Sequence, residues 1–105
     1  MKSTRDIIIQ TENIEAATEF YKEVMGLELN HRSPGMVGFE TGSIQLYIEP
    51  GPTTGPVFEF LTNDFAATKQ KLLAAGCVIT DENPSQPRCY FRDPFGLTFN
   101  LAQRG

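Results

Sequence analysis

The sequence predicts an α+β protein built from two tandem modules, each a strand, a helix and three further strands. The first observation is an internal repeat at a near-constant offset. Ala16-Ala17-Thr18 recurs as Ala66-Ala67-Thr68, Gly26 as Gly76, and Pro34 as Pro84. The second observation is that each copy passes from a strand-like pattern to helical spacing and back again. The predicted order in each module is therefore βαβββ.

The first module is predicted to begin with a strand over Asp6–Thr11, because isoleucine-rich segments favour extended backbone. Asn13 suits an N-cap, and apolar residues recur at helical spacing from Ile14 to Met25. Gly26 is the glycine expected just after the end of that helix. Three strands are predicted to follow, over Leu27–His31, Met36–Glu40 and Ser43–Glu49.

The second module is predicted to begin with a strand over Pro56–Thr62 and to continue, after Asn63 or Asp64 as the cap, into a helix that ends before Gly76. Its remaining strands are predicted over Cys77–Thr80, Arg88–Arg92 and Leu97–Ala102, with a type I turn over Asp93–Gly96.

A proline- and glycine-rich stretch over residues 50–56 separates the copies and predicts a linker between modules 1–50 and 57–105. A module of that size buries too little apolar surface to fold alone. We therefore predict a single domain made of both modules.

Composition narrows the functional classes. The net charge is -4 and no basic run is present, which argues against nucleic-acid binding. No apolar stretch approaches the roughly 18 residues of a membrane span, and no leader-like segment precedes Asp6. Cys77 and Cys89 do not form a CxxC pair, so neither a zinc site nor a redox motif is predicted. We expect a cytoplasmic protein with two reduced, buried thiols.

Two motifs carry a family resemblance that covers the whole chain. Phe20–Leu27 (FYKEVMGL) stands in the first copy, and Phe91–Gly96 (FRDPFG) stands in the second. With the repeat, they resemble the glyoxalase/bleomycin resistance/dioxygenase superfamily, also called the vicinal oxygen chelate superfamily. The resemblance implies a curved, cup-like mixed sheet that holds a small molecule, usually in a homodimer. Members include glyoxalases, epimerases, ring-cleaving dioxygenases and antibiotic-sequestering proteins, so the fold alone does not choose a function.

The resemblance also implies where a divalent metal would be held. The corresponding positions here are Asp6, Gln45, Val57 and Asn100. Valine has no donor atom, and the two amides offer only neutral oxygens, whereas zinc, nickel and iron prefer imidazole and carboxylate. His31 is the only histidine and is predicted to lie away from these positions, at the surface. We predict no metal and no other cofactor.

Strand alternation extends the candidate site beyond these positions, because alternate residues share a face. Gln45 then brings Tyr47 to the cup, and Val57 brings Glu59. In fosfomycin-type members a tyrosine before the turn faces the cavity; here it is Tyr90, accompanied by Arg88. The predicted ligand-binding set is Asp6, Gln45, Tyr47, Glu59, Arg88, Tyr90 and Asn100.

Glu59 is the most informative member of this set, because a carboxylate among apolar residues is costly to bury without a partner. It is interpreted in three ways: as half of a buried ion pair with Arg88, as a ligand-recognition group, or as a general base.

The leading hypothesis is a metal-independent protein that binds a small organic molecule, in the manner of the bleomycin-resistance proteins. One alternative is a divergent enzyme of the lyase, isomerase or dioxygenase type with a non-standard site, in which Glu59 is catalytic. The other is a structural or regulatory module without a dedicated ligand. Whether the protein is an enzyme is left open. The predicted partners are a small-molecule ligand and a second copy of the chain, with no nucleic acid and no membrane.

Overall fold

A computed structural model describes residues 1–104 of the chain, with Thr54 described by its backbone alone. The described residues divide into two compact units. One consists of residues 5–57, and the other of residues 58–104 together with 1–4. They correspond closely to the two copies of the repeat and are referred to below as the first and second modules.

The first module has the predicted βαβββ order. β1 and β4 are parallel neighbours, and β4, β3 and β2 follow in antiparallel order, so the sheet runs β2-β3-β4-β1. Its elements are β1 (Lys2–Thr11), α1 (Ile14–Glu19), a π-helical segment (Phe20–Val24), β2 (Glu28–Ser33), β3 (Met36–Glu40) and β4 (Gln45–Pro50).

The helix of the first module differs from the prediction in its second half. Asn13 caps it as expected, because its side-chain oxygen accepts a hydrogen bond from the amide of Ala16 at 3.2 Å. The α-helix ends at Glu19, however, and the chain continues as a π-helix in which the Met25 amide donates to the Phe20 carbonyl. The wider turn rotates the residues that follow, so Val24 and Met25 are exposed although helical spacing placed them on the apolar stripe.

The core of the first module lies between α1 and one face of its sheet. Val37, Phe39, Leu46 and Ile48 are buried there, and the ring of Tyr21 packs against that of Phe39. Because side chains alternate along each strand, the neighbours of these core residues lie on the face turned away from α1. That second face carries Asp6, Gln45 and Tyr47.

The second module repeats this arrangement, with β5 and β8 parallel and the sheet running β5-β8-β7-β6. Asp64 caps its helix through the amide of Ala67. β5 begins two residues earlier than predicted, within the expected linker. The elements are β5 (Thr54–Thr62), α2 (Phe65–Ala74), β6 (Val78–Asn83), β7 (Arg88–Arg92) and β8 (Thr98–Gln103). The core against α2 contains Cys77, Cys89, Phe91 and Leu101.

The two modules share a structural irregularity that aligns them residue by residue. The β2–β3 register shifts between Leu29 and His31, and the β6–β7 register shifts between Ile79 and Asp81. Counting from these bulges pairs four positions between the modules: His31 with Asp81, Phe39 with Phe91, Tyr47 with Asn100, and Ile48 with Leu101. The two phenylalanines, Ile48 and Leu101 are all fully buried, as an inherited core would be. The predicted α+β class and the two tandem βαβββ modules are confirmed.

The helices were also assessed for the length and apolar character that a membrane span requires. Between residues 1 and 104, none is long and apolar enough to span a bilayer.

Candidate functional site

Three predicted site residues lie together on the face of the first module that is turned away from α1. Asp6 is the strand partner of Gln45, and Tyr47 follows two residues along β4 on the same face. Gln45 is the first residue of β4. Burial raises the pKa of Asp6 above its ordinary value, and the positive charge of Arg5 offsets part of that rise.

Arg5 is not available to pair fully with Asp6, because its guanidinium is engaged by Glu40. The two form a bidentate ion pair with N–O distances of 2.7 and 3.2 Å. The hydrogen bond from Arg5 lowers the pKa of Glu40, and the same carboxylate also accepts from the amide of Gly42.

The side chain of Gln45 is buried and both of its polar atoms are used. Its oxygen accepts from Asn30 Nδ2 at 2.9 Å, and its nitrogen donates to Asn30 Oδ1 at 2.6 Å. Asn30 is the extra residue of the β2 bulge. No sequence signal pointed to Asn30, since bulge positions do not follow the alternation of a regular strand.

A glycine allows several side chains to converge on this face. A Cβ at Gly38 would stand 2.8 Å from Gln45 Nε2, 2.9 Å from Tyr47 Cε1 and 3.0 Å from His31 Cβ. The rings of His31 and Tyr47 meet edge to face, with centroids 6.1 Å apart. His31 is exposed, as predicted, but it lies beside a predicted site residue and not away from the site. The β2 bulge is the reason, because it changes which face His31 occupies.

The other four predicted residues lie together on the corresponding face of the second module. Asn100 in β8 is the strand partner of both Glu59 in β5 and Tyr90 in β7. Arg88 stands two residues before Tyr90 and is opposite Ala102. Because partnered residues share a face, all four belong to one surface, as strand alternation predicted.

Asn100 is the centre of this group. It is fully buried, and its Nδ2 donates to Glu59 Oε2 at 2.9 Å. Among the described residues its Oδ1 has no hydrogen-bond partner. A buried acceptor in that state costs about 1–3 kcal/mol. Stability alone does not explain why an amide stands here, since the next residue of β8, Leu101, is a fully buried apolar side chain.

A pocket of about 250 Å³ opens beside this group. The carboxylate of Glu59 and the guanidinium of Arg88 both line it, but no ion pair joins them. The partner of Glu59 is Asn100, and within residues 1–104 the side chain of Arg88 makes no hydrogen bond. The expectation of a direct Glu59–Arg88 pair is therefore not met. The full lining is Glu59, Gln86, Pro87, Arg88, Ala102 and Gln103.

Gln86, Pro87 and Gln103 were not predicted as site residues. Gln103 forms a fixed wall, because its side-chain oxygen accepts from the Phe65 amide and its nitrogen donates to the carbonyls of Thr62 and Asn63. Gln86 and Pro87 belong to the turn before β7, whose geometry is set by backbone hydrogen bonds such as that from Arg88 to the Gln86 carbonyl. Turn residues of this kind carry no periodic signal.

A larger groove of about 650 Å³ lies elsewhere, on the α1 side of the first module. It holds none of the predicted site residues, and most of its charged lining is exposed. We therefore treat it as a surface groove between α1 and the β2–β3 turn. It is lined by Ile14, Glu15, Thr18, Glu19, Lys22, Glu23, Arg32, Ser33, Pro34 and Val37.

The residues at the four family metal positions do not fit a divalent metal. Val57 is buried and has no donor, Gln45 is engaged by Asn30, and Asn100 presents its nitrogen to Glu59. Asp6 alone offers a carboxylate. Nowhere in residues 1–104 do three or more His, Cys, Asp or Glu side chains cluster as metal ligands would.

Comparison with known proteins supports the superfamily resemblance in the fold and in part of the sequence. A solved structure of a glyoxalase/bleomycin resistance protein/dioxygenase superfamily member from Vibrio splendidus 12B01 matches at a TM-score of 0.66 and 15% identity. The match covers 93% of this chain and 96% of that one. Residues 5–42 match the sequence family described as bleomycin resistance protein-like N-terminal. The chain therefore has the fold of that superfamily member, and residues 5–42 are similar in sequence to the bleomycin resistance protein-like N-terminal family.

The fold of this chain is shared with proteins of differing description. A Legionella pneumophila structure described as an NAD-dependent benzaldehyde dehydrogenase matches at a TM-score of 0.71 and 13% identity, covering 95% of this chain and 98% of that one. The H200Q variant of homoprotocatechuate 2,3-dioxygenase from B. fuscum matches at 0.63 and 14% identity, covering 98% and 33%. A search of curated proteins finds no matching sequence. Such similarity establishes the fold, and the site has to indicate the function.

Proposed function

We propose that this superfamily member binds a small organic molecule without a metal ion. The proposal rests on the hydrogen bonds that the two amide side chains at the family metal positions make. Gln45 is closed off by its reciprocal pair with Asn30, and Asn100 turns its nitrogen toward Glu59. Gln45 has no free oxygen for a metal, Asn100 offers only a neutral amide oxygen, and Val57 offers no donor, so the set suits a divalent metal poorly. Such side chains can instead shape the wall of a small-molecule pocket.

The second module supplies the groups that would recognise the ligand. Glu59 and Arg88 line one pocket, and Asn100 and Tyr90 lie on the same face. Polar side chains that converge on one pocket are typical of small-molecule sites. On the first module, Asp6, Gln45 and Tyr47 are proposed as ligand-binding residues of the face that they share. The match of residues 5–42 to the bleomycin-resistance-like family supports sequestration, which requires no catalytic residue.

A ligand screen followed by residue mapping tests this proposal. The untagged protein is screened by thermal shift against small organic acids, amines and aromatic compounds, and each stabilising compound is titrated by ¹⁵N NMR. We expect saturable shifts of the Gln86, Arg88 and Ala102 amides. Arg88→Gln should weaken binding, whereas Arg92→Gln, on the same strand and face but outside the pocket, should not. Stabilising compounds that map only to other surfaces would contradict the proposal.

A second candidate function is catalysis with Glu59 as general base. One observation favours it: Asn100 holds Oε2 of Glu59, while Oε1 has no partner among the described residues. A carboxylate oxygen fixed in this way can accept a proton from a bound molecule. Incubating each bound compound with the protein and following it by ¹H NMR tests this. Catalysis predicts turnover that Glu59→Gln abolishes while binding persists. An unchanged compound would leave binding as the function.

We also propose that the protein acts as a cytoplasmic homodimer. The superfamily resemblance supports the dimer, as do the exposed apolar side chains of Phe95 and Leu97 in the β7–β8 turn. Sedimentation equilibrium of the full chain should give twice the chain mass at micromolar concentration. A monomer across the concentration range would contradict this proposal.

A further inference from the structure

We infer that the second-module pocket takes a zwitterion, a small aliphatic molecule that carries one amine and one carboxylate. The inference rests on the proposed small-molecule function and names its ligand class. Two charges of opposite sign line a single pocket of about 250 Å³, yet they do not neutralise each other. A ligand with complementary charges at its two ends would satisfy both.

Arg88 supplies the half of the site that binds an anion. Its side chain is half-buried and makes no hydrogen bond or ion pair within residues 1–104. Withdrawing a guanidinium from water without a partner is unfavourable. Its planar set of donors matches a carboxylate in bidentate geometry, and such charge-assisted bonds are about twice as strong as neutral ones.

Glu59 supplies the half that binds a cation. Asn100 Nδ2 donates to one carboxylate oxygen and so orients the group, and the other oxygen is left as an acceptor. Asn100 itself adds no positive charge that would neutralise Glu59. An ammonium group is the donor that suits a half-buried carboxylate best, because it restores charge balance as well as the hydrogen bond.

The strand register explains why the two charges do not meet. Glu59 lies on β5 and Arg88 on β7, with β8 between them and an offset of two residues along the strands. Strand spacing and rise per residue place their Cα atoms roughly 12 Å apart. Between them stands Ala102, whose small side chain leaves the space open. A bridging ligand fits this separation better than a direct ion pair does.

The charges are also specific to one copy of the repeat. Aligned through the bulges, Glu59, Arg88 and Ala102 correspond to Ile8, Met36 and Glu49 in the first module. The first module therefore folds the same sheet with an apolar pair at the two charged positions. The fold does not require Glu59 and Arg88, which is why we assign them to recognition.

The test compares four probes that share a five-carbon chain. They are δ-aminovalerate, its isomer norvaline, pentylamine and valerate, each titrated into the full-length protein and followed by ¹⁵N NMR at the Gln86, Arg88 and Ala102 amides. We expect one of the two zwitterions to bind at least about tenfold more tightly than pentylamine or valerate, as one added charge-assisted hydrogen bond would give. The preferred isomer reports whether the pocket spans separated or adjacent charges.

Two variants assign each end of the ligand. Glu59→Gln should remove the advantage of the zwitterion over valerate, and Arg88→Gln should remove its advantage over pentylamine. Arg92→Gln and Glu28→Gln, which alter exposed charges outside the pocket, should change neither ratio. Far-UV circular dichroism confirms that each variant is folded.

The outcomes separate this inference from the proposed function. If valerate, pentylamine or an uncharged compound binds in the pocket as tightly as the zwitterions, the ligand class is wrong while small-molecule binding stands. If no organic compound of the probe set or the wider screen shifts the pocket amides, both are wrong.

Discussion

Asn100 and Glu59 are strand partners whose side chains are joined by a hydrogen bond of 2.9 Å, from a fully buried amide to a carboxylate at a pocket wall. The bond fixes the direction of Glu59 and occupies the amide nitrogen. It therefore explains how an acidic side chain is held in one direction at the wall of the pocket.

Replacing Asn100 should be costly. Asn100→Ala removes a hydrogen bond to a charged group and leaves a cavity, but it also removes an unpaired oxygen, so we expect a net loss of about 2 kcal/mol of unfolding free energy. Urea denaturation measures it. Thr98→Ala, on the same strand and face but less buried, should cost clearly less. Equal losses would mean that the Asn100–Glu59 bond contributes little.

Gly38 is predicted to tolerate no side chain. Gly38→Ala would bring a methyl group within 3.0 Å of three neighbouring side chains, including Gln45 and Tyr47. Overpacking of this kind costs about 1–3 kcal/mol. Gly35→Ala is the matched control, since nothing lies within 4 Å of its added Cβ. Thermal denaturation should show a lower Tm for Gly38→Ala alone. A similar Tm for both variants would contradict the close packing of neighbouring side chains around Gly38.

The amide pair of Asn30 and Gln45 should behave as a unit. Asn30→Ala leaves a glutamine that is only 7% exposed without either partner, at a cost of about 1–3 kcal/mol. Combining Asn30→Leu with Gln45→Leu removes both polar groups and should recover much of that loss. A double-mutant cycle of Asn30→Leu, Gln45→Leu and their combination, measured by urea denaturation, gives the coupling free energy between the two amides. Strictly additive effects would show that the two amides do not interact.

Cys89 should make the protein less stable in alkali. Burial, aided by the hydrogen bond to Glu82, raises the pKa of this thiol from 9.0 to about 11. Because the folded state favours the protonated thiol, its contribution to stability is complete below pH 9 and is lost as the pH rises toward 11. Urea midpoints measured from pH 8 to pH 11 should fall less steeply in Cys89→Ala than in Cys77→Ala. Equal slopes of the urea midpoint against pH in the two variants would contradict the raised pKa of Cys89.

Much of the fold was predictable because the same pattern of strands and helix occurs in both copies of the repeat. Strand alternation and the caps at Asn13 and Asp64 are local signals, and the structure confirms both caps. The boundaries of β3 and β7 agree with the predicted ones. Both strands contribute fully buried core residues, so their apolar pattern was strong.

The irregular features were not predictable in the same way. The π-helical segment over Phe20–Val24 and the bulge at Asn30 each insert one residue into a regular pattern. An inserted residue is recognised only from the hydrogen bonds around it, and those depend on partners that are distant in sequence. His31 was assigned a position away from the site for this reason.

The sequence predicted which candidate residues share a face of the sheet, but it did not predict which of their side chains are in contact. Alternation placed Glu59, Arg88 and Asn100 on one surface, which the register bears out. Which side chains bond to one another depends on offsets between strands that are set by tertiary packing. One of the three interpretations of Glu59 paired it with Arg88, whereas its partner is Asn100. The ligand-binding roles of these residues remain predictions.

The metal content of the purified protein tests most directly whether it functions without a metal ion. The untagged protein, purified without chelators, is analysed for bound metal and then examined by thermal shift with Ni²⁺, Zn²⁺, Mn²⁺, Fe²⁺ and Mg²⁺. We expect substoichiometric metal and an unchanged Tm with each ion, because Asp6 is the one good donor among the four family positions. One equivalent of copurified metal whose removal lowers the Tm would contradict it.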